Sequence, residues 1–233
     1  KIDLIEAVYP VVIGPGEIEL YLRNIIFENN QHIIIIDIKI YDQIVCLAPS
    51  LTLFDQSNII KIEARKESKS IVTLTNILEE FEKINMPRSG TVIAIGGGVI
   101  GDVAGLAASL WYRGCNLVHI PSTLLSAVDS CLGGKTAINF GKTINAVGSY
   151  YHPNKIIIDT KLLENLPDRE LSSGMAEVIK YTVLGNKKLH ELVSRLNITT
   201  LFDENSLNSH THVLKYVCRS VVSETFQKPL IWV

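Results

Sequence analysis

The segment Thr91–Gly105, TVIAIGGGVIGDVAG, is a β-branched apolar run that enters three consecutive glycines and leaves in a helical pattern. Gly96, Gly98 and Gly101 match GxGxxG, with Gly97 and Val99 between them. Glycines there allow a positive φ and let a pyrophosphate reach the backbone, while the following helix offers free N–H groups and the positive end of its dipole. This is chemistry for an anionic dinucleotide. Asp102 stands early in the same helix, where the dipole favours an acid. The ribose-binding acid expected about 20 positions on is missing from Leu117–Pro121. Gly134-Lys135-Thr136 would end a P-loop only if position 129 were glycine, and it is Asp129.

Other polar residues cluster downstream. Ser122 and Thr123 precede an apolar run, so their hydroxyls suit both a helix cap and a ligand contact. Asp129 and Lys135 flank Gly133 and Gly134, an acid and a base beside backbone that a ligand can approach closely. Glu177 and Lys180 lie three apart in a helical pattern and share a face. By themselves they read as a surface ion pair.

The elements that must position these residues alternate. Strand-like runs cover 32–36, 59–62, 91–95, 117–120 and 155–158, and helical patterns cover 17–27, 70–84 and 102–111 between them. Such alternation predicts an α/β fold: a mainly parallel, Rossmann-like sheet flanked by helices. After about Pro167 the β-branched runs stop, and 169–184, 187–196 and 208–225 read as helices. The composition shift at 160–168 predicts an α/β domain over 1–165 and the start of an all-helical domain over 166–233. The charged stretch Glu63–Lys69 reads as a solvated loop.

Bulk properties narrow the class. The 233 residues carry a net charge of −2, without the basic excess of a nucleic-acid surface. No run reaches the roughly 18 apolar residues of a membrane span, and no secretory leader pattern opens the chain. Cys46, Cys115, Cys131 and Cys218 are widely spaced, as reduced thiols of a cytoplasmic protein would be, not a zinc ribbon or disulfide scaffold.

The glycine segment is followed by WYRG (Trp111–Gly114), IPSTLLSAVDSCLGGKTAIN (Ile120–Asn139) and LPDRELSSGMAEVIKY (Leu166–Tyr181). This ordered set resembles the 3-dehydroquinate synthases of the sugar-phosphate cyclase superfamily, continuously from about Lys69 to Tyr181 and more loosely back to Asp37. The resemblance implies a lyase of the shikimate pathway and aromatic amino acid biosynthesis. Its cofactors would be NAD and a divalent metal, zinc or cobalt, and its substrate 3-deoxy-D-arabino-heptulosonate 7-phosphate. The implied reaction is transient oxidation of a carbinol carbon, phosphate elimination, re-reduction, ring opening and aldol closure, with the substrate phosphate acting as base in its own elimination. The glycine turn with Asp37, Lys69, Asp102, Ser122, Thr123 and Asp129 would contact NAD. Arg113 would clamp phosphate, Lys135 and Lys180 would meet substrate, and Glu177 would be a metal ligand. A homodimer is a further expectation.

The chain departs from the family pattern in three places. Lys66 stands where the family has a ribose-binding glutamate, three residues before Lys69. In the NFGKTINAVG stretch, ungapped counting puts Ile144 at a family lysine and Asn145 at its asparagine, while a compensated shift keeps Lys142. No GHTxGHA motif supplies the two histidine ligands, and the His210/His212 pair lacks that context. The chain therefore reads as lacking most of the helical domain. Two alternatives stay open: a cyclase of the 2-deoxy-scyllo-inosose synthase kind, and a truncated homologue that binds NAD without catalysis. A glycerol dehydrogenase-like enzyme shares the architecture but should lack DSxxGGKT.

Overall fold

The computed structural model describes residues 9–28, 30–164, 166–183 and 187–194. In chain order the elements are β1 (Val11–Gly14), α1 (Glu17–Ile25), β2 (His32–Asp37), α2 (Tyr41–Leu47), β3 (Ile59–Ile62), α3 (Ile71–Lys83), β4 (Thr91–Gly96) and α4 (Gly98–Leu110). Then come β5 (Asn116–Pro121), β6 (Lys135–Phe140), β7 (Thr143–Tyr150), β8 (Lys155–Asp159), α5 (Thr160–Leu163), α6 (Asp168–Val183) and α7 (Lys187–Ser194). The helix predicted at 208–225, with His210, His212 and Cys218, lies outside the described residues.

Six strands form one parallel sheet in the order β1-β8-β5-β4-β2-β3. The isoleucine runs form its centre, because a strand covered by helices on both faces must be apolar at every position. Alternate residues of β2 and β4 enter opposite cores. Ile33, Ile35, Val92 and Ala94 pack with α3 and α4, and Ile34, Ile36, Ile93 and Ile95 pack with α1 and α2. In α3, Ser70 caps the first turn by accepting from Thr73 N, and Leu74, Ile77 and Phe81 form the buried stripe.

The strand order fixes where a ligand can sit. From β2 the chain moves outward to β3, and from β4 it moves the other way to β5, so the switch point lies between β2 and β4. Ile36 pairs with Ile95, which brings Asp37 and Gly96 to the same carboxyl edge.

A feature absent from the sequence reading is the antiparallel β6–β7 hairpin. Its two-residue turn is Gly141-Lys142, with Gly141 at φ +57, the backbone a glycine-first hairpin turn requires. The hairpin lies directly on α4: a Cβ on Gly105 would sit 2.5 Å from Thr136 Cγ2. Helix α6 is equally close to the short helical stretch 124–130, where a Cβ on Gly174 would be 2.5 Å from Leu124 Cβ and 2.7 Å from Leu125 N. Met175, Val178 and Tyr181 of α6 share one core with Leu124, Ala127 and Val128.

Candidate functional site

Helix α4 starts at the glycine turn without a side-chain cap on Gly97. Gly101 N donates to Gly97 O at 3.1 Å to open the helix, so the amides of the residues before it are left for other acceptors. The positive φ expected of these glycines is not what they supply. Gly97 has φ −77, and the positive-φ glycines nearby are Gly133 (φ +82) and Gly134 (φ +69). Gly96–Gly98 are needed for close approach instead: a Cβ would lie 2.6 Å from Ile100 Cγ1 at Gly96, 3.3 Å from Thr123 Cγ2 at Gly97 and 3.2 Å from Ser130 Oγ at Gly98.

A cavity of about 560 Å³ opens beside this turn, lined by Asp102, Asp129, Ser130, Lys135, Asn145 and Tyr150 among others. Three elements wall it: α4, the 124–134 segment and the hairpin. Ser130 Oγ is buried with no hydrogen-bond partner among the described residues. A buried hydroxyl without a partner costs about 1–3 kcal/mol, which a ligand acceptor could recover. Sequence reading passed over Ser130, although it is the serine of the DSxxGGKT block itself.

Burial shapes the carboxylates. It pushes Asp102 above the usual carboxylate range, against the opposing pull of Lys69 and of the Ala137 backbone N–H. Lys69 Nζ donates to Asp102 Oδ2 and, at 2.5 Å, to Asn145 Oδ1. Asp129 is also raised, first by burial and then by the nearby charge of Glu177, while Lys135 and Lys180 pull it down. Thus Asp129, Lys135, Glu177 and Lys180 form one electrostatic group although they come from three parts of the chain. Lys180 Nζ donates to Glu177 Oε2 at 2.9 Å, and this partner raises the lysine.

The remaining candidates divide. Thr123 Oγ1 accepts from Ser126 N at 3.2 Å and so caps the helical stretch after it, while Ser122 N donates to Gly96 O at 2.9 Å and ties β5 to the glycine turn. Asp37 Oδ1 accepts from Lys39 N (3.1 Å) and Ala64 N (3.3 Å), closing the edge of β2 onto the segment after β3. Arg113 does not line the cavity. It sits at the far end of α4 at φ +65, about 20 Å along the helix from the glycine turn. Lys142 is in the exposed hairpin turn, and Asn145 is the residue of that loop that reaches the cavity. Nor is 63–69 wholly a solvated loop: Lys69 is 11% exposed and ion-paired. His119, facing Gly101, is buried, and burial lowers its pKa to about 4.

Residues 59–173 match the family model for the N-terminal part of 3-dehydroquinate synthase. The 3-dehydroquinate synthase of Dictyoglomus thermophilum is 35% identical over 228 residues, 98% of this chain and 63% of the relative. The chain belongs to the 3-dehydroquinate synthase family. The enzyme of that name from Natranaerobius thermophilus is 40% identical over 200 residues, 84% of this chain and 53% of its own length. The chain thus spans between about half and two thirds of these family members.

Solved structures of several enzymes share this fold. A 2-deoxy-scyllo-inosose synthase complexed with carbaglucose-6-phosphate, NAD+ and Co2+ superposes with TM-score 0.78 at 31% identity, over 94% of this chain and 62% of the other. The 2-epi-5-epi-valiolone synthase of Streptomyces hygroscopicus, with NAD+ and Zn2+ bound, gives 0.81 at 26%, over 96% and 63%. A probable glycerol dehydrogenase from Sinorhizobium meliloti shares the fold at TM-score 0.65 and 10% identity, covering 94% and 67%. Among the described residues no helix is long and apolar enough to cross a membrane.

The glycine turn fits a dinucleotide: the close-approach glycines, the uncapped helix end and the orphaned Ser130 hydroxyl converge there. A metal fits less well. Glu177 is a half-buried carboxylate already paired with Lys180, and the described residues hold no group of three metal-ligating side chains.

Proposed function

We propose that the protein is a 3-dehydroquinate synthase, a carbon–oxygen lyase that converts 3-deoxy-D-arabino-heptulosonate 7-phosphate to 3-dehydroquinate with loss of phosphate. The observation that carries this reading is the cavity shared by Asp102, Asp129, Ser130, Lys135 and Asn145, with Ser130 Oγ set against Gly98 of the glycine turn. NAD held at the glycine turn would supply the transient oxidation and re-reduction of a carbinol carbon. The open N–H groups of α4 would hold its pyrophosphate, and Asp102 its nicotinamide end. Asp129 and Lys135, opposite charges on either side of two positive-φ glycines, would receive the polar edge of the sugar. Lys135 as a cation and Asn145 as an amide donor suit an anionic phosphate, whose own oxygen takes the proton lost as the C–O bond breaks. Lys180 would contact the substrate from α6. Glu177 is the described residue this reading assigns to a divalent cation, zinc or cobalt.

Ile144 at the position of a family lysine favours a second reading, a cyclase of the 2-deoxy-scyllo-inosose synthase kind acting on a different sugar phosphate. Both readings take the protein as a cytoplasmic homodimer. The deciding experiment follows phosphate release from the heptulosonate phosphate in the presence of NAD and cobalt or zinc, with the product identified by mass spectrometry. Release with 3-dehydroquinate as product supports the first reading. Release only from a hexose phosphate supports the second. NAD binding with no turnover on either substrate makes the chain a cofactor-binding homologue.

A further inference from the structure

The hairpin wall of the cavity is held unusually. Strand β7 is exposed along nearly its whole length, so burial fixes the hairpin mainly through Thr136 and Ile138 of β6. Beyond Ile138 the pairing slips before Phe140, and Asn145 adopts a left-handed φ of +53. A register break of this kind re-aims side chains, and the left-handed backbone that asparagine readily adopts is here fixed by its neighbours.

Those neighbours belong to the turn that ends at Lys69. Asn139 N donates to Lys69 O at 2.8 Å, and Asn139 Nδ2 to Lys66 O at 3.2 Å. Asn145 N in turn donates to Asn139 Oδ1 at 3.0 Å. The Lys69 ammonium closes the circuit, donating to Asn145 Oδ1 on the hairpin and to Asp102 Oδ2 on α4. An ammonium offers donors only, so it fixes the Asn145 amide with oxygen toward Lys69 and leaves the nitrogen as the end offered to the cavity. Lys69 and Asp102 are both largely buried, so this charge-assisted contact is weakly screened.

We infer that Lys69 is a positioning residue that couples the two halves of the cavity, setting Asp102 on the dinucleotide side and Asn145 on the hairpin side through one shared ammonium. The inference rests on the proposed NAD site for the meaning of those two halves. Loss of one partner changes the hold on the other, so ligand binding at Asp102 responds to changes at Asn145. Sequence resemblance assigned Lys69 a direct contact with the cofactor, a role in which Asn145 has no part.

The test combines hydrogen exchange with NAD titration on wild type, Lys69→Met, Lys69→Arg, Asn145→Ala and the Lys69→Met/Asn145→Ala double variant. Lys69→Met is expected to speed amide exchange at 139–146 at least tenfold while β4 stays protected, and Lys69→Arg to restore protection to within about threefold. Asn145→Ala is expected to weaken NAD binding at least threefold in the wild-type background and to have no further effect beside Lys69→Met. Equal Asn145→Ala effects on NAD in both backgrounds, or unchanged exchange at 139–146 in Lys69→Met, overturn the coupling. If NAD does not bind the wild type at all, the cofactor reading fails, and the exchange result alone still decides whether Lys69 holds the hairpin.

Discussion

The sheet side of the cavity and its hairpin-and-α6 side are held by different forces. On the sheet side, β2 and β4 are buried at every position, a Cβ at Gly96 would clash with Ile100, and Cβ atoms at Gly97 and Gly98 would press tightly on Thr123 and Ser130. On the other side, β7 is exposed and position depends on polar contacts: Lys69 with Asp102 and Asn145, and Lys180 with Glu177. Apolar packing is insensitive to salt, whereas polar positioning is adjustable and titratable. The pairing suits a site that binds one partner as a fixture and handles another during chemistry.

The largest expected effect strikes the sheet side. Asp159, 1% exposed at the end of β8, accepts from Gly16 N (3.0 Å), Ile18 N (3.1 Å) and Lys161 N (3.0 Å), capping two helices at once. Asp159→Ala should cost roughly 3–5 kcal/mol in urea unfolding, since it orphans three N–H groups. A loss under about 1 kcal/mol would mean that water replaces the carboxylate there.

The pH response separates the buried histidine of β5 from the cavity carboxylates by sign. His119 is lowered from 6.5 to about 4 by burial, so its neutral form stabilises the fold fully above pH 6.5. That contribution, roughly 3 kcal/mol, is lost as pH falls from 6.5 toward 4. His119→Gln should flatten that part of a stability–pH curve. Asp102 and Asp129 are raised, so their contribution runs the other way: it is present below the ordinary value of 3.8 and lost as pH climbs through their raised values. Asp129→Asn should therefore remove a gain on acidification while leaving the His119 loss in place.

Gly174→Ala tests whether close approach of α6 sets the catalytic group. The added methyl meets Leu124 side-chain atoms and the Leu125 amide, so α6 must shift, at about 2–3 kcal/mol. Substrate contacts through Lys180 should weaken, while NAD affinity changes less than threefold. The smallest effect belongs to Lys180→Met: the pair with Glu177 is 52% and 27% exposed, so stability should change by less than about 0.5 kcal/mol while turnover falls steeply.

What could be read from the sequence follows the same division. The isoleucine strands and the glycine turn were legible because burial on both faces demands continuous apolar runs and tight packing demands glycine. Helix α4 begins four residues earlier than its apolar pattern, because the glycines themselves form its first turn. The hairpin was not legible: β7 is exposed, so it shows no alternation, and Gly141-Lys142 was the lone turn signal. The choice between the ungapped count, with Ile144 at the family lysine, and the shift that keeps Lys142 could not be made without the register break after Ile138. Ser130 was missed because a missing hydrogen-bond partner is a property of three dimensions.

The most direct measurement of the central claim is a calorimetric titration of NAD into the wild type and Gly98→Val. Gly98 has Ser130 Oγ 3.2 Å from where its Cβ would be, and it opens the uncapped helix. The account predicts one NAD per chain and at least a tenfold loss of affinity in Gly98→Val, with unchanged far-ultraviolet circular dichroism. Equal NAD affinity in the two proteins, or a folded wild type that binds none, would contradict it.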